Sequence, residues 1–184
     1  MSGYDSTNDT LEHIKAVRQR IKVLGKNLQK RAEVHDASKL QSPEKEIFDI
    51  MTPKLRSLTY GSDEYKACLK EMGVALEHHY INNSHHPEFY GYAECDICFK
   101  QYPRDYSERC AACGNGTFTL RPDVSKMSLF DILEMLADWN AACMRHADGD
   151  YNESLRINKN RFNISDELYQ IIMKTVKEIG WIGD

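Results

Sequence analysis

Cys95-Asp96-Ile97-Cys98 and Cys110-Ala111-Ala112-Cys113 are two CxxC pairs with 11 residues between them, and they divide the chain into unlike parts. Each pair offers two sulfurs to one ion, and a short hairpin between the pairs closes a tetrahedron of thiolates. Gly114 follows the second pair directly and Gly116 is close by, as the tight turns of such knuckles prefer. A redox CxxC is the competing reading. It fits poorly, because two copies occur and no βαβ pattern surrounds them. The spacing predicts one structural Zn²⁺ on Cys95, Cys98, Cys110 and Cys113, in a ribbon of short β-hairpins over 92–121. The other two cysteines, Cys68 and Cys143, sit on apolar helical faces and read as packed thiols.

On both sides of the ribbon the pattern is helical. Leu11, Ile14, Val17, Ile21, Leu24 and Leu28 recur every three or four residues, predicting an amphipathic helix from about 10 to 31. Asp9 with Glu12 resembles a capping box at its start, and Gly25 is a point where it divides or kinks. Pro43 can open the next helix, running through Ile47, Phe48 and Ile50 to Met51. Ser62 and Asp63 start another, with Tyr65, Cys68, Leu69, Met72, Ala75, Leu76 and His79 on one face. Ser128-Leu-Phe-Asp131 caps a helix carrying Leu129, Ile132, Leu133, Leu136, Asn140 and Cys143, and Ser165 caps the last, with Leu168, Ile171, Ile172, Val176 and Ile179. The expected fold is mainly α: a helical bundle formed by 1–91 and 122–184, with the ribbon of 92–121 inserted between its fourth and fifth helices.

Composition narrows the function. Among 184 residues, 41% are apolar and 28% charged, values of a soluble globular chain long enough to bury roughly two-thirds of its unfolded surface. No stretch approaches the ~20 apolar residues of a membrane span, and the polar start MSGYDSTNDT does not read as a signal peptide. A cytoplasmic protein with no membrane partner is expected. The net charge of −4 argues against a chain whose main work is neutralising phosphate backbones. The ribbon itself balances Lys100, Arg104, Arg109 and Arg121 against Glu94, Asp96, Asp105 and Glu108, which leaves no basic footprint. Its aromatics, Tyr92, Phe99, Tyr102, Tyr106 and Phe118, suit base stacking, but in so small a unit they more often form the core.

The chemistry lies in the seven histidines. His35-Asp36, followed by Ala-Ser-Lys39-Leu40, pairs an imidazole nitrogen with a carboxylate oxygen, a mixed set suited to Mn²⁺, Fe²⁺, Co²⁺ or Mg²⁺. His13 stands beside the apolar stripe of the first helix, as a ligand or as a satisfied core histidine. Asp138, in Leu136-Ala-Asp138-Trp139, puts a carboxylate into an apolar helix, where it needs a partner or a cation. Asp131, one heptad earlier, is its rival, although capping explains Asp131 well. His146 reads as a cation at a helix C-terminus.

A helical His, then His-Asp, then a distant Asp resembles the HD superfamily of metal-dependent phosphohydrolases. More narrowly, His35-Asp36-Ala-Ser38-Lys39-Leu40, His85-His86-Pro87-Glu88 and Met135-Leu-Ala-Asp138-Trp139 look like a phage and bacterial HD-like family of unknown function. The resemblance implies that His13, His35, Asp36 and Asp138 hold a catalytic divalent metal (Mn, Co, Fe, Mg or Zn). The histidine-rich turn from His78-His79 to His85-His86 and the zinc insert both depart from the simplest one-metal members.

The expected activity is hydrolysis of a small phosphorylated substrate, a nucleotide first among them, by a metal-activated water. His79 continues its helix's apolar stripe and should point inward. His86 could join it as a second-metal ligand or phosphate contact, whereas His78 and His85, as their neighbours, should face away. Lys39 is the expected phosphate partner. Glu44 is an acid or base near the metal, or simply a negative charge in a helical first turn. The competing reading is a module that binds nucleic acid or protein through the ribbon, on a scaffold of non-catalytic helices.

Overall fold

The computed structural model describes residues 4–59, 61–145 and 149–183. Among them are seven α-helices and one three-stranded antiparallel sheet. The chain forms two compact units, 1–35 and 36–184.

The first unit is a single helix, α1 (Thr7–Val34). It starts a turn earlier than Asp9 suggests, after Ser6, and no side chain of Ser6 caps it. Asp9 instead lies in the first turn, where a negative charge suits the helix dipole. The helix runs through Gly25 without dividing, so Gly25 is not the break its type suggests. Its apolar stripe is not a buried face: no residue of α1 is buried, and Leu11, Ile21 and Leu24 are all more than half exposed.

In the second unit α2 (Glu44–Arg56) follows Pro43, which occupies the N-cap rather than the first helical position, and it continues past Met51 through Pro53. The run expected from Ser62 to His79 is two helices, α3 (Asp63–Glu71) and α4 (Gly73–Asn82). Ser62 caps α3 as its residue type implies, accepting from the Tyr65 N–H at 3.1 Å. At the start of α4 Gly73 takes φ +47°, a left-handed conformation open to glycine, and the apolar stripe continues across a chain that has changed direction. Met51, Cys68 and Met72 form a buried cluster with Ile47, Phe48, Leu69 and Leu76, which joins α2, α3 and α4.

Beyond the ribbon, Ser128 and Asp131 form a reciprocal capping box at the start of α5 (Leu129–Cys143), as expected. An unforeseen helix, α6 (Tyr151–Arg161), is capped by Asp150. It is mostly polar, and it is held by Tyr151 and Leu155 in the core rather than by a continuous stripe. Ser165 caps α7 (Asp166–Glu178), which buries Ile172 and Val176 but leaves Ile171 exposed. These three helices share the larger core, with Met135, Leu136, Trp139, Leu155 and Ile172 among its buried members and Trp139 stacked on Phe162. The expectation for His146 falls on a residue outside those described. No helix among the described residues is long and apolar enough to cross a membrane.

The ribbon is the strand-forming segment. Strand β1 (Tyr92–Cys95) lies between β2 (Gln101–Pro103) and β3 (Phe118–Arg121), and Ala93 faces Tyr102 on one side and Leu120 on the other. Tyr102, Tyr106 and Phe118 pack on one another, with the two tyrosine rings 4.1 Å apart and stacked. These three rings are the ribbon's small core.

Candidate functional site

Two clusters of ligand atoms stand out in the second unit. In the ribbon, Cys95 and Cys113 sulfurs lie 3.5 Å apart and Cys98 and Cys110 sulfurs 3.4 Å apart, and all four thiols are free. These separations are far beyond a disulfide's S–S bond and approach the edges of a ZnS₄ tetrahedron. Both knuckles turn alike. Phe99 and Gly114, each the residue after its pair, take φ of +60° and +73°. Each also donates its N–H to the carbonyl of the pair's first cysteine, Phe99 to Cys95 at 2.9 Å and Gly114 to Cys110 at 2.8 Å. The Tyr102 hydroxyl, 3.1 Å from Cys110 Sγ, holds that thiol down at about 6. The four sulfurs are placed to hold one metal ion.

The second cluster begins at Asp36. This residue adopts φ +56°, a left-handed turn that Asp tolerates better than most residues. The short 3₁₀ turn Ala37–Leu40 that follows brings Lys39 Nζ to 2.6 Å from Asp36 Oδ2. The other oxygen, Oδ1, lies 3.4 Å from His79 Nε2 and 3.4 Å from His85 Nε2. His86 Nε2 is 2.8 Å from His79 Nε2. Ligand atoms of Asp36, His79, His85 and His86 therefore all lie within 4.8 Å of one another, and an oxygen of Asp138 is within the same distance of Asp36.

The far side of two of these rings is held by carboxylates. Glu44, fully buried at the start of α2, places Oε2 2.9 Å from His79 Nδ1 and Oε1 2.7 Å from His78 Nδ1, and it also accepts from Ser38 Oγ. Glu134 of α5 lies 3.1 Å from His85 Nδ1. Asn83, buried just after α4, donates to the His79 carbonyl and to Ser38 Oγ at 2.8 Å each, which fixes the turn carrying His85 and His86. Burial pushes His79 and His86 toward the neutral form; in His86 the neighbouring rings of His85 and His79 add to it. Burial pushes the Asp36 carboxyl up, but the His85 contact and the Lys39 ammonium outweigh it and hold the group below its ordinary range.

The cluster brings together Asp36, His79, His86 and Asp138 of the expected residues, and adds His85. Adjacent residues face apart on a regular helix, but His85 and His86 sit beyond the end of α4, and their ring centres lie 4.2 Å apart with the planes tilted at 42°. Glu44 is neither an exposed first-turn charge nor open to act as an acid or base, since its two oxygens are occupied by His78, His79 and Ser38. Lys39 is engaged by Asp36, with its ammonium 5.0 Å from the Phe48 ring centre. Asp131 does the capping expected of it, with Ser84 and Tyr90 hydroxyls donating to it at 2.6 and 2.8 Å. His78, at Glu44, is half-exposed. In the first unit, taken by itself, His13 is exposed on α1, and His35, its last residue, is half-buried. Glu134 was legible only through spacing: it precedes Asp138 by four residues, one helical turn on the same face of α5.

A cavity of about 680 Å³ adjoins the cluster. Lys39, His79, His86 and Asp138 line it, together with aromatic and aliphatic side chains that include Phe48, Leu76 and Trp139.

No curated protein and no solved structure matches the chain. A family model described as a family of unknown function, DUF5662, matches residues 2–178. With nearly its whole length matched, the chain belongs to DUF5662.

Proposed function

We propose that this protein is a metal-dependent phosphohydrolase of the HD-like kind, with Asp36, His79, His85 and His86 as ligands of a divalent ion and Asp138 beside them. One observation carries the reading. Glu44 takes up His79 Nδ1 from behind, so the ring proton belongs there and Nε2 turns a lone pair toward the point that Asp36 Oδ1 also faces. A cation between a lone pair and a carboxylate oxygen directed at one point binds both, and His86 Nε2, 2.8 Å from His79 Nε2, converges on the same place. Glu134 stands behind His85 in the same way, and buried carboxylates of this kind orient metal-bound imidazoles. An ion held there would lower the pKa of a bound water and polarise a phosphoryl oxygen. Lys39, already beside Asp36, supplies a positive charge at the cavity wall for the substrate's phosphoryl oxygens. The apolar lining around Phe48 and Trp139 keeps the reacting end away from bulk water. His35 enters this reading through the His-Asp resemblance and through its peptide bond to Asp36. The ribbon's four thiolates hold a structural Zn²⁺ in the same proposal, and the protein is a cytoplasmic enzyme of small phosphate esters.

The test is a screen of nucleoside mono-, di- and triphosphates and cyclic dinucleotides with Mn²⁺, Co²⁺ or Mg²⁺, reading released phosphate or nucleoside. Turnover with at least one metal is expected. Asp36→Asn, which keeps volume but loses the charge that holds the cation, should abolish it by several orders of magnitude while the metal-free protein melts as before. Absence of hydrolysis with every metal, or turnover indifferent to Asp36→Asn, overturns the proposal.

A further inference from the structure

His78, His79, His85 and His86 lie on one short stretch of chain, the end of α4 and the turn after it. The two flanks of that stretch are joined by a side chain of the ribbon. Arg104 stands just after β2, between the stacked Tyr102 and Tyr106, where the Tyr106 N–H closes on the Pro103 carbonyl at 3.0 Å. Its side chain is 17% exposed, and the guanidinium donates through Nη2 to Glu77 Oε1 and through Nη1 to the Glu88 backbone carbonyl. Glu77 immediately precedes His78, and Glu88 follows His86 by two residues. The junction is tight. Gly91 donates its own N–H to the Glu88 carbonyl at 3.1 Å, and a Cβ on Gly91 would come within 3.2 Å of Arg104 Nη1. The Asp123 N–H also donates to the Pro87 carbonyl at 3.2 Å, and Arg161 to Glu88 Oε1 at 3.0 Å, so loss of Arg104 would loosen the turn without releasing it.

We propose that Arg104 is a positioning residue through which the ribbon fixes the histidine-bearing segment, so that the integrity of the ribbon governs how tightly the cluster holds a divalent ion. The proposal rests on the metal-dependent reading for that ion; the ribbon's hold on the segment needs no ion in the cluster. A planar fork with two donors in set directions keeps two acceptors at a set separation, which an ammonium does not. His79 on α4 and His86 beyond its end come from opposite flanks, and ligands bind a cation tightly only when the chain carrying them is held in register. Loosening of the ribbon therefore reaches the cluster through one guanidinium.

Hydrogen exchange and Mn²⁺ binding on the full chain test this. Mn²⁺ is followed by the paramagnetic resonance of the free ion, and as a hard cation it is a poor match for the ribbon's thiolates. In Arg104→Ala the amides of His86, Phe89 and Gly91, all hydrogen-bonded in the wild type, should exchange roughly tenfold faster, and Mn²⁺ affinity should fall about tenfold. Cys110→Ser, which takes one thiol from the ribbon, should do the same with Arg104 in place. The double variant should be no worse than Cys110→Ser alone, because both changes break one connection. A residue that only added stability would leave Mn²⁺ affinity unchanged, and its effect would add to that of Cys110→Ser. Arg104→Lys keeps the charge but not the fork, so it should fall between wild type and Arg104→Ala; it carries the test if Arg104→Ala does not fold. Unchanged exchange in the turn, unchanged Mn²⁺ affinity in Arg104→Ala, or additive effects in the double variant overturns the proposal. A wild type that takes up no Mn²⁺ while the exchange pattern holds would strike the metal reading of the histidines alone. Metal-dependent hydrolysis with no exchange response would strike this proposal alone.

Discussion

Residues of one chemical type take opposite roles in this chain, and burial with partners sorts them. Asp131 and Asp138 stand seven residues apart on α5, yet Asp131 is enclosed by Ser84, Tyr90 and Ser128 while Asp138 reaches toward Asp36. Burial pushes the Asp131 carboxyl up, but donation from Ser128, Ser84 and Tyr90 prevails and holds it below its ordinary range. Its stabilising effect is therefore complete above the unfolded value of about 3.9 and is lost as pH falls below it. Asp131→Ala should cost about 1–3 kcal/mol at pH 7, because four donor groups on three residues lose their acceptor. Urea titrations at pH 7 and pH 3 check this: the gap between wild type and variant should narrow at the lower pH, and a gap that widens would contradict the assignment. The capping half of this was legible, since Ser128-x-x-Asp131 is a local pattern. The donors from Ser84 and Tyr90 were not, because they come from more than forty residues away.

At the scale of elements, the ribbon shows how a metal site and a fold depend on each other. Its sheet has strands of three and four residues, and its apolar core is little more than Tyr102, Tyr106 and Phe118. So small a unit needs a cross-link, and a metal bound by the thiolates would supply one. Cys110→Ser should therefore loosen 92–121 while the capped helices keep their structure. Hydrogen exchange reads this directly, with faster exchange expected in β1, β2 and β3 and unchanged protection in α5 and α7. Elemental analysis should find about one zinc per chain in the wild type. Disulfide bonds among these cysteines, or a ribbon equally protected in Cys110→Ser, would remove the metal from the account. The four cysteines were readable because their spacing is itself the geometry of the knuckle. The break between α3 and α4 was not, since the apolar stripe passes through Gly73 unchanged and only the backbone there records the turn.

For the whole molecule, ligand atoms from the 36–40 turn, α4 and the turn after it surround one point, with carboxylates of α2 and α5 behind them. An ion that binds the folded arrangement and not the unfolded chain adds stability by mass action. Mn²⁺ or Co²⁺ at about 100 times its Kd should add about 2.7 kcal/mol, which for a chain of this size raises Tm by roughly 5–10 °C. His79→Ala should remove that increment, and differential scanning with and without added metal measures it; an equal rise in the variant would place the ion elsewhere. What the sequence by itself determined was whatever depends on neighbours along the chain: the mainly helical class, the Ser62, Ser128 and Ser165 caps, the four-cysteine knuckles, and Asp36, His79, His86 and Asp138 as candidates for one site. Tertiary structure alone decided that His85 joins them and that Glu44 and Glu134 stand behind the histidines. The reason is physical. Caps and knuckle turns are closed by hydrogen bonds within a few residues, whereas the direction of an imidazole is set by what packs against it, and Glu44 is separated from His79 by 35 residues of chain.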